Sequence, residues 1–383
     1  MKSIYKQLLY LIRESLTDND IDASVDCIGL EKVALEHKSL SLVCDGTIKI
    51  GFNPPENWKA FMLSVAMNNI KNLNVQQKIL DILKENNIRC AILKGISVSM
   101  YYPEPLHRPL GDIDILVDEE NYDKAIDLLT GSTDRDLEHY EHKFHYHFTF
   151  EGITIEIHKF MTEYSDDKYG EFLKEHLKSA LDSIEIKQYK CYNFPVLSPE
   201  YQIISLLLHT QRHFFEHRTN LRMICDYAMY VQNLSLKEWS SLCPSLEKLK
   251  LNIFANALIL MCKKYLNISI DYEIKSDIEE EIIDSLMEEF LYIRVDTDYT
   301  KNIQKKRVVE IVCAVLRTVH QAAKRDFKIL ERLPVLYPVY WLFVPLRTIW
   351  RRLTGQKKDF LVFEYGVSMD QRRKLCDYLN LNN

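Results

Sequence analysis

The sequence predicts an α+β protein, with a small α/β core set in a helix-rich chain of 383 residues. Three observations carry this reading. Glycine and proline are sparse, ten and eleven in all, so helices are seldom interrupted. Short apolar runs at 88–93 and 112–117 are each followed by helical periodicity, the alternation of a strand–helix–strand–helix unit. Residues 145–158 alternate strictly between apolar and polar on both sides of Glu151-Gly152, the pattern of a hairpin.

Taken in order, residues 1–86 read as a mostly helical segment. "MKSIYKQLLYLIRESL" does not read as a secretory leader, because Lys6, Arg13 and Glu14 break its apolar run. Between 57 and 86, Trp58, Phe61, Met62, Val65, Ile70, Leu73, Ile79, Ile82 and Leu83 recur at helical spacing, as one or two helices ended by "ENN". The core spans 87–160. It opens on the strand "IRCAIL", passes Gly95 into a turn or two of helix, and crosses the three-proline loop "YYPEPLHRPLG" to the strand "DIDILV". "DEENYDKAIDLL" follows as a helix whose acidic first turn suits the helix dipole.

A two-residue hairpin turn then pairs Phe150 with Ile153, His147 with Glu156 and His145 with His158. It puts Tyr146, Phe148, Phe150, Ile153, Ile155 and Ile157 on a core face. The other face is polar: His145, His147, Thr149, Thr154, Glu156 and His158. Residues 161–330 read as a helical domain, including "PEYQIISLLLHTQRHFF", "NLRMICDYAMYVQNL" and a Ser235–Glu238 capping box. Residues 331–383 form an aromatic and basic C-terminal segment.

A formal net charge of −6 argues against a general nucleic-acid binder. Charge is polarised late in the chain: 271–300 hold eleven acids against two basic residues, and 301–358 hold fourteen basic residues against three acids. Nine scattered cysteines without CxxC or zinc spacing read as reduced, buried thiols of a cytoplasmic protein. No apolar run reaches the ~18 residues of a spanning helix.

The chemistry gathers at Asp112 and Asp114. Two apart on a strand, they point to one side, and Glu156 offers a third carboxylate on a neighbouring strand. Two unpaired buried carboxylates on one face are costly, so a cation is expected between them. Three oxygen donors suit Mg²⁺ or Mn²⁺, and two such ions about 3.5–4 Å apart can clamp a triphosphate for in-line displacement.

These residues also carry a resemblance. Leu93-Lys94-Gly95, Tyr102-Pro103, Arg108 and Gly111-Asp112-Ile113-Asp114-Ile115-Leu116-Val117, followed by Glu156 and His158 in "IEIH", resemble the DNA-polymerase-β-like nucleotidyltransferase superfamily. The nearer resemblance is to its uncharacterised bacterial nucleotidyltransferases. It runs over about 60–230, through "HTQRHFF…LRMICDY" with His209, His213, Arg222 and Asp226.

The resemblance implies a small mixed sheet flanked by helices and transfer of a nucleoside monophosphate from an NTP to an acceptor, releasing pyrophosphate. Asp112 and Asp114 would be metal ligands and Glu156 the third acid. Lys94, Gly95, Ser97, Arg108, Gly111 and His158 would line the nucleotide. The superfamily's usual Gly-Ser pair is Lys94-Gly95 here, followed by Ile96. Its hydroxyl is therefore missing or comes from Ser97 or Ser99, with Lys94 as a substitute point charge.

Other readings stay open residue by residue. Lys94 can be a surface lysine, and Arg108 can pair structurally instead of gripping phosphate. His145 and His147 can be a solvated face, and His209 and His213 can be structural. Arg222 and Asp226, spaced i, i+4, most simply form an intrahelical ion pair, or they position acceptor or nucleotide. The stretch 332–358 is either a strap closing the helical domain or a peripheral anchor on anionic lipid.

The acceptor is open between a small hydroxylated molecule, a protein side chain and an RNA end, with long nucleic acid the least attractive. Two rival functions remain. One is an NTP-binding module of little or no activity. The other is a membrane-associated accessory protein for surface polysaccharide or peptide maturation.

Overall fold

A seven-stranded mixed sheet organises the chain. Its strands are β1 (Cys90–Ile92), β2 (Ile113–Val117), β3 (Tyr140–Glu141), β4 (His145–Phe150), β5 (Ile153–His158), β6 (Ile184–Tyr189) and β7 (Tyr192–Leu197). They run in the order β3-β4-β5-β2-β1-β7-β6. The pairs β2/β5 and β1/β7 are parallel, and the other neighbours are antiparallel.

This computed structural model describes residues 1–17, 27, 29–131, 140–141, 144–164, 168–215, 219–274, 276–291 and 375–381. The chain divides into two units, Met1–Ile293 with Cys376–Asn383, and Arg294–Leu375. Apart from Leu375, the described residues belong to the first unit. The expected helices of 292–330 and the segment 332–358 lie outside the described residues.

Helices α1 (Ser3–Leu16), α2 (Leu30–Glu36) and α3 (Leu40–Lys49) precede the long α4 (Glu56–Glu85). The periodicity of 57–86 is thus one helix, ended where Asn87 turns left-handed at φ 57°. Between strands lie α5 (Ile96–Ser99), α6 (Tyr122–Thr130) and α7 (Lys168–Leu177). Then come α8 (Pro199–Phe215), α9 (Leu221–Gln232), α10 (Leu236–Lys248), α11 (Asn252–Leu266) and α12 (Glu280–Leu291). The Ser235–Glu238 capping box forms at the start of α10.

The hairpin has the expected register, with Phe150 opposite Ile153, His147 opposite Glu156 and His145 opposite His158. Glu151 and Gly152 both take positive φ, 49° and 74°, as the favoured two-residue turn requires. The expected apolar face joins one core with Leu73, Val75, Ile79 and Leu83 of α4, Ile113 and Ile115 of β2, and Ala125 and Ile126 of α6. Burying each such side chain contributes roughly 1.5–3 kcal/mol. With one face spent on this core, the polar residues of β2 and β5 share the opposite face.

One correction concerns the extent of the sheet. Residues 161–330 were expected to be helical, yet β6 and β7 lie within them and add to the sheet through a parallel pairing of Ile92 with Val196. Pro195, inside β7, removes a ladder donor and weakens the strand signal. The described cysteines are free thiols, most of them buried and Cys191 exposed. No helix among the described residues is long and apolar enough to cross a membrane.

Candidate active site

Parallel pairing sets Asp114 directly beside Glu156, since the two are register partners on β2 and β5. Asp114 is only 6% exposed, so its charge needs a partner. It has two. The Leu93 amide donates to the Asp114 carbonyl, which carries Lys94 to the carboxylate, Nζ to Oδ1 2.9 Å. His158, two residues beyond Glu156 on the same face, places Nε2 3.0 Å from Asp114 Oδ1 and 3.3 Å from Glu156 Oε2. Ligand atoms of Asp114, Glu156 and His158 all lie within 4.8 Å of one another. Asp112 stands exposed at the mouth, outside that trio.

The expected metal set therefore differs in detail. Asp114 and Glu156 come together, His158 joins them, and Asp112 stands exposed two residues before Asp114. The donor chemistry fits a hard divalent cation, since carboxylate oxygens dominate, and such a cation would take the place of the Lys94 ammonium on Asp114.

Burial alone would push the Asp114 carboxyl up, but the Lys94 ammonium and the His158 bond hold it well below the usual carboxylate range. The same His158 bond lowers Glu156. Burial opposes charge on His158, yet its bonds to Asp114 and Glu156 prevail and raise its pKa. Asp112 is raised, by desolvation and then by the charges of Asp114 and Glu156. A like-charged neighbourhood of this kind is relieved by a cation.

A pH dependence follows. With its folded pKa raised, His158 contributes stability that is complete below its unfolded value and lost as pH climbs through the folded one. Asp114 and Glu156, with depressed pKa, contribute stability above the ordinary carboxylate range and lose it in acid. The metal-free protein is expected to lose melting temperature as pH rises above the ordinary histidine value of about 6.5, and His158→Gln to flatten that fall. Equal slopes for wild type and variant would sink the assignment.

The loop that delivers Asp112 is pinned from several sides. Asn69 of α4 donates through Nδ2 to the carbonyls of Leu106 (2.7 Å) and Arg108 (2.9 Å) and accepts from the Leu110 amide (2.9 Å). Asn72 donates to the Gly111 carbonyl, 2.8 Å. Ser41 of α3 donates to the His107 carbonyl. Arg108 makes a two-pronged bond to Asp226 of α9, Nε–Oδ1 2.9 Å and Nη2–Oδ2 2.6 Å, and the Tyr102 hydroxyl donates to the same carboxylate.

Two expectations are corrected here. Arg108 is buried and committed to Asp226, which is the structural alternative to a phosphate grip. Arg222 and Asp226 do not form the intrahelical pair, because the Arg108 fork matches the carboxylate and takes both oxygens. Arg222 instead donates to the Pro109 carbonyl, 3.2 Å.

Gly95 caps α5 at φ 73°, ψ −112°, a conformation side chains resist. Ser97 and Ser99 are buried, and neither hydroxyl finds a partner among the described residues. Gly111 has open space where a Cβ would stand. His209 and His213 are half-buried neighbours with ring centroids 4.4 Å apart. Burial, Lys94 and His213 keep His209 neutral. The His145 ring lies 5.2 Å from His158, and His147 stands opposite Glu156.

Sequence reasoning missed Asn69, Asn72 and Lys38. For the asparagines a signal existed: with Gln76 they continue the buried stripe of Val65, Leu73, Ile79 and Leu83. Polar residues at core spacing announce buried hydrogen bonds.

A mixed sheet flanked by helices, with acids side by side on adjacent strands, is the core architecture of a nucleotidyltransferase. Residues 24–267 match the family described as uncharacterised nucleotidyltransferase, and the chain belongs to that family. The match reaches from before α2 to the end of α11, so the helices that pin the loop lie within it. No curated protein and no solved structure matches the chain. Membership supports a general role in nucleotidyl transfer.

Proposed function

We propose that the chain is a metal-dependent nucleotidyltransferase that moves a nucleoside monophosphate from an NTP to a small hydroxylated molecule or a protein side chain. The observation that carries this is the juxtaposition of Asp114 and Glu156 on parallel neighbours, with Asp112 exposed two residues before Asp114. An acceptor hydroxyl oxygen attacks the α-phosphorus and gives its proton to Glu156 or to solvent water, the bond to the β-phosphate oxygen breaks, and pyrophosphate leaves with the electron pair. A bound Mg²⁺ or Mn²⁺ would polarise the α-phosphate and neutralise the leaving group.

Asp112, Asp114 and Glu156 would hold the metal. Glu156 can ligate or accept the acceptor's proton, and its lowered pKa favours ligation, since an efficient base lies near the working pH. His158 orients both carboxylates. Lys94, with a side chain 25% exposed, has room to turn from Asp114 toward phosphate. Gly95 lets the backbone approach there.

The test is a titration of ATP, GTP, CTP and UTP with and without Mg²⁺ or Mn²⁺, on wild type and Asp112→Asn/Asp114→Asn. Metal-dependent binding weakened at least about 100-fold in the double variant is expected, because removing ligands should exceed the loss seen for their supporting residues. Equal binding by both proteins, or none by either, would overturn the reading. Metal-dependent binding by wild type without pyrophosphate release would favour an NTP-binding module.

A further inference from the structure

Arg108 is spoken for, but the guanidinium beside it is not. Arg222 stands in the first turn of α9, whose end is capped by Asn220 accepting from the Met223 amide. That end is the positive pole of the helix dipole, where a basic side chain has the unfavourable sign. Arg222 Nη1 reaches the Pro109 carbonyl, while its Nε is buried and finds no partner among the described residues.

A second cation is held close. Lys38 sits exposed in the left-handed turn between α2 and α3, at φ 54°. The preceding His37 is buried and accepts from the Leu221 amide, 3.4 Å, which fastens this turn to the start of α9. Lys38 is within electrostatic reach of Arg222, Asp112 and Arg108.

Partial desolvation and then Arg222 lower the pKa of Lys38, and burial and then Arg108 lower that of Arg222. Of the carboxylates facing them, Asp226 is taken by Arg108 and Tyr102, and Asp112 is exposed at the mouth of the acidic site. Positive charge is thus concentrated on one side of Asp112, next to the acids that would face an α-phosphate. An arginine and a lysine beside the acidic mouth suit phosphate oxygens.

We propose that Arg222 and Lys38 form the seat for the β- and γ-phosphates of the donor nucleotide, and so for the departing pyrophosphate. The inference rests on nucleotidyl transfer at the acidic site. Anchored through Nη1 on the Pro109 carbonyl, the Arg222 guanidinium has Nη2 left for a phosphate oxygen. The Lys38 ammonium neutralises charge that builds on pyrophosphate as the α-phosphorus–oxygen bond breaks.

The experiment is a calorimetric titration, in Mg²⁺, of the preferred NTP, its monophosphate and inorganic pyrophosphate. It uses wild type, Lys38→Ala and Arg222→Gln, the glutamine keeping a donor for the Pro109 carbonyl. Arg222→Gln is expected to weaken NTP and pyrophosphate at least about 10-fold and Lys38→Ala about 3- to 10-fold, with monophosphate affinity unchanged. Unaltered NTP and pyrophosphate affinity in both variants would overturn the seat and leave nucleotidyl transfer standing. A matching loss for the monophosphate would also overturn it. If wild type binds no nucleotide with metal, nucleotidyl transfer itself falls, and the seat with it.

Discussion

Arg108→Met is expected to lower the melting temperature by roughly 10 °C. Arg108 is 4% exposed, and its fork lies on Asp226, itself buried. Breaking a buried pair by removing one partner costs about 3–5 kcal/mol, because the remaining charge stays uncompensated. At about 2–4 °C per kcal/mol for a unit of this size, that is a clear shift in calorimetry.

The double variant Arg108→Met/Asp226→Leu should regain part of the loss, since apolar replacement of a whole buried pair is often neutral. It should not regain all, because the Tyr102 hydroxyl loses its acceptor, at about 1–3 kcal/mol. A shift of only a degree or two for Arg108→Met would mean that the pair does not hold the loop.

Asn69→Leu should be nearly as severe and should also reach the site. Asn69 is 1% exposed and satisfies three main-chain groups of the loop at Leu106, Arg108 and Leu110. Leaving such groups unpaired costs about 1–3 kcal/mol each before relaxation, so a total of roughly 3–5 kcal/mol is expected. The loop ends at Gly111, one residue before Asp112, so metal-dependent nucleotide affinity should fall along with the melting temperature. A stable variant with unchanged nucleotide binding would show that α4 does not position the acidic loop.

The parts that were legible in the sequence are those written in neighbouring residues. Glu151-Gly152 between two alternating runs fixes a two-residue turn. With a side-chain period of two, that turn determines every pair from Phe150–Ile153 to His145–His158. The same period puts Ile113 and Ile115 in the core and turns Asp114 to the face it shares with Glu156.

What failed was non-local. Nothing near Arg108 names Asp226 as its partner, and the simplest local guess paired Asp226 with Arg222 four residues away. Strands β6 and β7 were missed because their place beside β1 depends on one parallel contact across a long separation, and Pro195 obscures the pattern.

By itself, then, the sequence determined the hairpin, its register and the apolar core that leaves Asp114 and Glu156 on the opposite face. All of these follow from backbone period and apolar burial over short spans. Only the tertiary structure decided which cation answers which anion. Buried Asp114 takes Lys94 and His158, Asp226 takes Arg108, and Arg222 at the head of α9 is left to the Pro109 carbonyl. The reason is physical: charges removed from water must be matched by whatever the packing brings within about 4 Å, and packing joins residues that lie far apart along the chain.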